Sequence, residues 1–167
     1  RPGDVLEAVP GLIVTQHSGS GKSNQMFLRG FNLDHGTDFS TAIDGMPVNL
    51  RSHGHGQGYT DINFLIPETI ARINFVKGPY HAELGDFSSA GGAEIETADV
   101  FSNQLGWTAG EYGFHRGLAM GGLTAGSTRL SGAVEIQRYD GAWTDVDEDV
   151  KKLNGLIKLD GGDVATQ

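Results

Sequence analysis

Ile70-Ala71-Arg72-Ile73-Asn74-Phe75-Val76-Lys77-Gly78-Pro79 and, twelve residues on, Gly91-Gly92-Ala93-Glu94-Ile95-Glu96-Thr97 are the stretches whose reading decides the fold. The first is rich in β-branched and aromatic residues and predicts a strand over Ala71–Lys77. Gly78-Pro79 breaks it, because proline lacks an N–H and fixes its own φ. A glycine- and serine-rich passage through Gly85 and Gly91-Gly92 then leads to a strand over Ala93–Thr97. Pro67 sits at a plausible first helical turn, with Glu68 favourable against the helix dipole.

Upstream, Asp4 is suited to cap a short helix over Val5–Val9, with Glu7 at its third position. Pro10-Gly11 ends it, and Leu12-Ile13-Val14-Thr15 reads as a strand. A polar glycine loop from Ser18 to Asn24 precedes a strand over Gln25–Phe31 that carries Arg29-Gly30. Thr41-Ala42-Ile43 is a further short strand, closed by the hairpin signal Asp44-Gly45 and continued by Met46-Pro47-Val48. Residues 51–60 form a polar loop. Short, irregular pieces of both kinds describe a small α+β domain, and the boundary is expected at residue 99.

From residue 100 to 167 the rhythm changes. Leu130, Gly132, Val134 and Ile136 alternate with Ser131, Glu135 and Gln137, and Leu153, Gly155, Ile157 and Leu159 alternate with Asn154, Lys158 and Asp160. Leu105, Trp107 and Ala109 repeat the pattern, and Gly117–Leu123 is a weaker fourth strand. One apolar and one polar face are the mark of antiparallel strands. A soluble sandwich alternates in the same way, but strands of about 9–11 residues suit a membrane barrel better than the usual ~5–6. Asp140–Asp149 holds five acids and no base, as a solvated rim loop would.

Composition narrows the classes. The 167 residues include 26 glycines but only five prolines, which fits turn-rich β structure rather than a linker. A net charge of −9 with no basic run argues against nucleic acid. Cysteine is absent, so no disulfide or thiolate chemistry is available. No apolar run approaches the ~20 residues of a membrane-spanning helix, a test that β-barrels escape. No cofactor is expected.

Taken in order, these segments resemble the plug domain of TonB-dependent outer-membrane receptors. Asp4–Leu12 is similar to the plug's start, Gln25–Phe31 to its Arg-Gly strand and Ala42–Val48 to its Asp-Gly turn. Pro67–Pro79 resembles the segment ending in Arg/Lys-Gly-Pro, and Gly85, Gly91-Gly92 and Ala93–Thr97 the glycine passage and closing strand. Glu83-Leu84-Gly85-Asp86 departs from the commoner apolar-aromatic-glycine step. Residues 101–167 look like the family's first barrel strands. The TonB-binding segment is not within this sequence, and about 22 strands are needed to close such a barrel. The chain therefore reads as a receptor fragment.

The resemblance implies an outer-membrane location, binding and gating rather than catalysis, TonB as the partner that pulls on the plug, lipid around the barrel, and an external small-molecule ligand such as a siderophore, metal chelate or cobalamin. Charge pairs suit a plug that must be held yet remain extractable, since rehydration partly offsets their loss. Arg29, Arg72 and Lys77 are the plug candidates, with Glu111 and Glu135 on the wall. Gly30, Asp44, Gly45, Gly78, Pro79, Gly85, Gly91 and Gly92 are expected to serve turns and close backbone approach.

The loop Arg51-Ser52-His53-Gly54-His55-Gly56-Gln57-Gly58-Tyr59 is the sharpest site feature. His53 and His55 would lie on one side of an extended segment, and imidazole suits Zn, Cu, Fe and Ni; Asp61 and His35 are able to complete a site. Two other readings stand beside this one: merely exposed histidines, or hydrogen bonding of a ligand by Arg51, His53, His55, Gln57 and Tyr59. A soluble metallo-hydrolase using His35, Asp38, His53, His55 and Asp61, and a structural β-rich surface protein, are the competing classes.

Overall fold

The structure, a computed structural model, describes residues 1–16, 19–143 and 145–161. Ser18, Thr144 and residues 162–167, which fall within the expected loops and the last strand region, lie outside the described residues. The chain divides into two compact units, Arg1–Thr97 and Ala98–Gln167.

The first unit opens with a 3-10 helix, Pro2–Ala8. Asp4 lies in its first turn rather than at its cap, and no side chain caps it. Pro2 explains the earlier start, because its fixed φ is already helical and its missing N–H is one the first turn leaves unpaired anyway. Strand β1 (Leu12–Thr15) pairs antiparallel with β2 (Gln25–Leu28), which pairs with β3 (Phe31–Asn32). The single strand expected over Gln25–Phe31 is thus a hairpin. Arg29 and Gly30, with φ of 50° and 83°, form its two-residue turn. An arginine in the left-handed region is uncommon, which hid the turn from the sequence.

The second sheet of this unit runs β5-β4-β7-β6, with β4 (Phe39–Ile43), β5 (Met46–Pro47), β6 (Ile70–Lys77) and β7 (Gly91–Thr97). Asp44-Gly45 makes the expected tight turn, both residues with positive φ as a type I′ hairpin requires. β4 pairs parallel with β7, and β6 antiparallel with it. Gly91 and Gly92 prove to be the first residues of β7, not a passage before it. At Gly91 (φ 130°) a Cβ would stand 2.2 Å from the Val76 carbonyl oxygen, so the edge strand can close in only on a glycine. Short 3-10 turns at Pro67–Thr69 and Ala82–Leu84 complete the helical content of the described unit. The mixed sheet with short helices is therefore present, with 3-10 turns as the helices.

Alternation builds the core. Leu12 and Val14, Met26 and Leu28, Phe39 and Ile43, and Ala93 and Ile95 point inward to meet Leu6, Val9, Leu33, Ile62 and Leu65. Ile13, between two of them, is exposed. Asn49 ties the loops above this core: its Nδ2 donates to the carbonyls of Gly36 (3.0 Å), Phe39 (3.0 Å) and Gly58 (3.1 Å), and its Oδ1 accepts from Thr41 N–H (2.7 Å).

The second unit is a four-stranded antiparallel sheet in the order β11-β10-β9-β8, from β8 (Gln104–Ala109), β9 (His115–Ala125), β10 (Thr128–Tyr139) and β11 (Val150–Gly161). The last three are 11, 12 and 12 residues long. Register places Leu105, Trp107, Leu123, Leu130, Val134, Ile136, Leu153, Ile157 and Leu159 on one face, and all of them are exposed. The opposite face carries Arg116, Arg129, Ser131, Glu135, Lys152, Asn154, Lys158 and Asp160. Leading into β8, Phe101 is buried and its N–H donates to Ser131 Oγ (3.0 Å).

Candidate functional site

The histidine loop is anchored at both ends by backbone bonds: Leu50 N–H to Tyr59 O (2.9 Å) and Gly58 N–H to Leu50 O (2.7 Å). Thr60 N–H then donates to His35 O (2.7 Å), which draws the loop onto the turn after β3. Arg51, His53, His55 and Gln57 are exposed. Tyr59 is buried: its hydroxyl accepts from Ser23 N–H (2.8 Å), and its ring stacks on His53 at 4.0 Å and 14°. His53 Nδ1 accepts from His55 N–H (3.2 Å).

The two histidines of the His-Gly-His run share Tyr59 as a neighbour, His55 meeting its ring edge to face at 5.8 Å, but they differ in what else they touch. His53 lies on Tyr59, whereas His55 lies against His35, edge to face at 4.6 Å and 70°. Asp34 spans the second pair, with Oδ1 3.6 Å from His35 Nε2 and Oδ2 3.5 Å from His55 Nε2. Asp34, His35 and His55 offer three ligand atoms within 4.8 Å of one another. Asp34 was missed by sequence reasoning, although an Asp-His pair beside Gly36 is a signal that would have found it. Asp34 holds φ at 48°, in the left-handed region that aspartate tolerates better than most residues.

His35 is the buried member. Its Nδ1 lies 3.2 Å from the Asn24 carbonyl. Burial lowers its pKa below the ordinary value of 6.5, against the opposing pull of the Asn24 carbonyl and the Asp34 carboxylate. The other acids named from the sequence are engaged elsewhere. Asp61 Oδ1 accepts from Asn63 N–H and Nδ2, both at 2.8 Å, and Asp38 accepts from Ser89 Oγ. The five-residue hydrolase set is thus not brought together.

Of the charges expected between plug and wall, Arg72 pairs with Glu96, its cross-strand neighbour on β7. Glu135 is fully buried between Arg116, Lys152 (2.9 Å) and Asn154 (3.1 Å), all on its own sheet. Both are committed within their own units. Lys77 Nζ lies 5.4 Å from the Phe75 ring centroid, and Arg29 and Glu111 are exposed on turns. Gly78 and Gly85 have positive φ at the ends of β6 and of the Ala82–Leu84 turn, and Pro79 follows directly.

A family model described as TonB-dependent Receptor Plug Domain matches residues 1–92, more than half of the chain. The chain belongs to this family. Solved structures share its fold. The copper transporter OprC matches 96% of the chain with a TM-score of 0.71 at 20% identity. A mutant of the ferric enterobactin receptor PfeA from Pseudomonas aeruginosa, in complex with enterobactin, matches 83% with a TM-score of 0.57 at 21% identity. The siderophore receptor PirA from Acinetobacter baumannii matches 93% with a TM-score of 0.57 at 19% identity. The chain spans 25%, 22% and 26% of these three proteins respectively. The first unit is accordingly a TonB-dependent receptor plug, followed by antiparallel strands of the kind found in these receptors.

Proposed function

We propose that this chain is the plug and the first wall strands of a TonB-dependent outer-membrane active transporter, with residues 1–99 as plug and 100–167 as wall. The observation that carries this reading is the second unit's face of nine exposed apolar side chains, seven of them on strands of 11 and 12 residues. Water penalises such a surface, and a bilayer removes the penalty. On β10 the apolar positions run from Leu130 to Ile136, roughly 20 Å of strand at the usual rise, and Arg138 follows them at the rim.

In this reading the polar face lines the lumen, the plug fills it, and TonB acts through a segment outside this sequence. Arg29 and Lys77 on the plug and Glu111 on the wall remain the candidates for breakable contacts, since Arg72 and Glu135 are held within their units. The exposed Arg51, His53, His55 and Gln57, over a platform formed by Tyr59, meet an external ligand of the siderophore, metal-chelate or cobalamin class. The chemistry is binding and gating, without a covalent step.

The test is uptake by cells carrying the full-length receptor gene, deleted for it, or lacking TonB, with labelled ferric siderophores, ferric citrate and cobalamin as the panel. Uptake of one of these, lost in both deletions, and recovery of the receptor in the outer-membrane fraction are expected. Recovery in the soluble fraction, or uptake indifferent to TonB, would overturn the proposal.

A further inference from the structure

We propose that Asp34, His35 and His55 form a binding site for a divalent first-row transition-metal ion, held by one carboxylate oxygen and two imidazole Nε2 atoms. This inference deepens the ligand reading of the same loop and rests on it for its biological meaning, but the binding itself is separable from transport.

Spacing is the first argument. The Nε2-to-carboxylate separations of 3.5 and 3.6 Å are too long for good hydrogen bonds. They lie close to the roughly 3.3 Å edge of a tetrahedron of donors bound at about 2.0–2.1 Å. The two separations run to different oxygens, Oδ1 toward His35 and Oδ2 toward His55, and one ligand atom from each of the three residues lies within 4.8 Å of the others.

Orientation is the second. The Asn24 carbonyl beside His35 Nδ1 holds the proton there and leaves Nε2 as the lone-pair nitrogen, the outer-shell arrangement that metal-bound histidines use.

Rigidity is the third. Asp34 and His35 are consecutive residues on a turn pinned by Met26 N–H to Asp34 O (2.8 Å) and by Asp34 N–H to Asn32 Oδ1 (2.9 Å). The Thr60 and Asn49 bonds fix the loop that presents His55. One donor comes from the buried side and two from half-exposed groups, which leaves an open position toward solvent for water or for a donor atom of a chelate.

Two imidazoles and one carboxylate select zinc, nickel and copper over magnesium and calcium, which prefer all-oxygen sites. By the same ordering, Cu²⁺ binds more tightly than Ni²⁺ or Zn²⁺.

The experiment uses the full-length receptor purified in detergent, stripped with EDTA and titrated calorimetrically with CuCl₂, NiCl₂, ZnCl₂ and MgCl₂, with bound metal counted by mass spectrometry. One ion per receptor is expected for the first three, none for magnesium, and nitrogen hyperfine structure from two imidazoles in the Cu²⁺ EPR spectrum. Asp34→Asn and His55→Gln, both at exposed or half-exposed positions, weaken binding by about tenfold or more. His53→Gln, which alters only the acceptor of the His55 N–H, costs less than either. Folding of each variant is verified by the electrophoretic heat shift of the intact barrel. Absence of binding in the wild type, wild-type affinity in both Asp34→Asn and His55→Gln, or an equal loss in His53→Gln overturns the site. A receptor that transports with TonB yet binds no free ion sinks this inference alone; one that binds the ion but transports nothing from the panel sinks only the transport reading.

Discussion

The Asp44 carboxylate accepts from the backbone N–H of Thr97 at 2.8 Å and from the Thr97 hydroxyl, joining residues 53 apart in sequence. Asp44 thus has two tasks. It adopts the positive φ of a hairpin turn, and it caps the end of β7, the strand that runs parallel to β4. Asp44→Ala removes both acceptors and is expected to destabilise the plug by about 1–3 kcal/mol, while Asp44→Asn, which also tolerates the turn, loses less. Hydrogen exchange of β4 and β7 in the receptor measures this; equal protection in all three proteins would count against the cap.

Gly91→Ala places a methyl group 2.2 Å from the Val76 carbonyl oxygen at a backbone conformation foreign to alanine. The pairing of β6 with β7 must then shift, at a cost of about 2–4 kcal/mol. Faster limited proteolysis after β6 is the expected result. Gly45→Ala is the comparison: no atom lies within 4 Å of its added Cβ, so it suffers the conformational strain alone and should be milder.

Glu135 holds Arg116, Lys152 and Asn154 together on the polar face of the second unit. Glu135→Ala leaves two cations facing each other without their anion, and a loss of about 3 kcal/mol is expected. Glu135→Gln retains the bond from Asn154 and should fall between. Thermal loss of the electrophoretic heat shift in the full receptor ranks the three. No difference among them would show that solvent replaces the carboxylate freely.

Ile157 is 80% exposed at the middle of the apolar face of β11. If that face meets lipid, Ile157→Arg costs about 2–4 kcal/mol near the bilayer midplane and lowers the assembled fraction in vesicles. Gln104→Arg, on the polar face of β8, should leave assembly intact. Equal tolerance of both substitutions would argue that neither face is buried in a membrane.

The sequence by itself determined the order and kind of most elements, because these depend on neighbours in the chain. Its β-branched residues marked β1, alternation marked β8, β10 and β11 and more weakly β9, Gly78-Pro79 ended β6, and Asp44-Gly45 made its hairpin. Even there, local propensity misled where tertiary strain was tolerated: Arg29 occupies a left-handed turn, and Gly91-Gly92 serve a strand because a neighbouring backbone crowds them. Side-chain partnerships were not legible, since they depend on which strands become adjacent. Arg72 and Glu96 meet only because β6 and β7 pair, and Glu135 is buried only because β9 and β11 bring cations to it. The histidine loop shows the same division. Its polar, imidazole-rich character could be read directly, but the choice of His35 and Asp34 over His53 as companions of His55 was made by the Asn49 and Thr60 hydrogen bonds that fold the loop onto a distant turn.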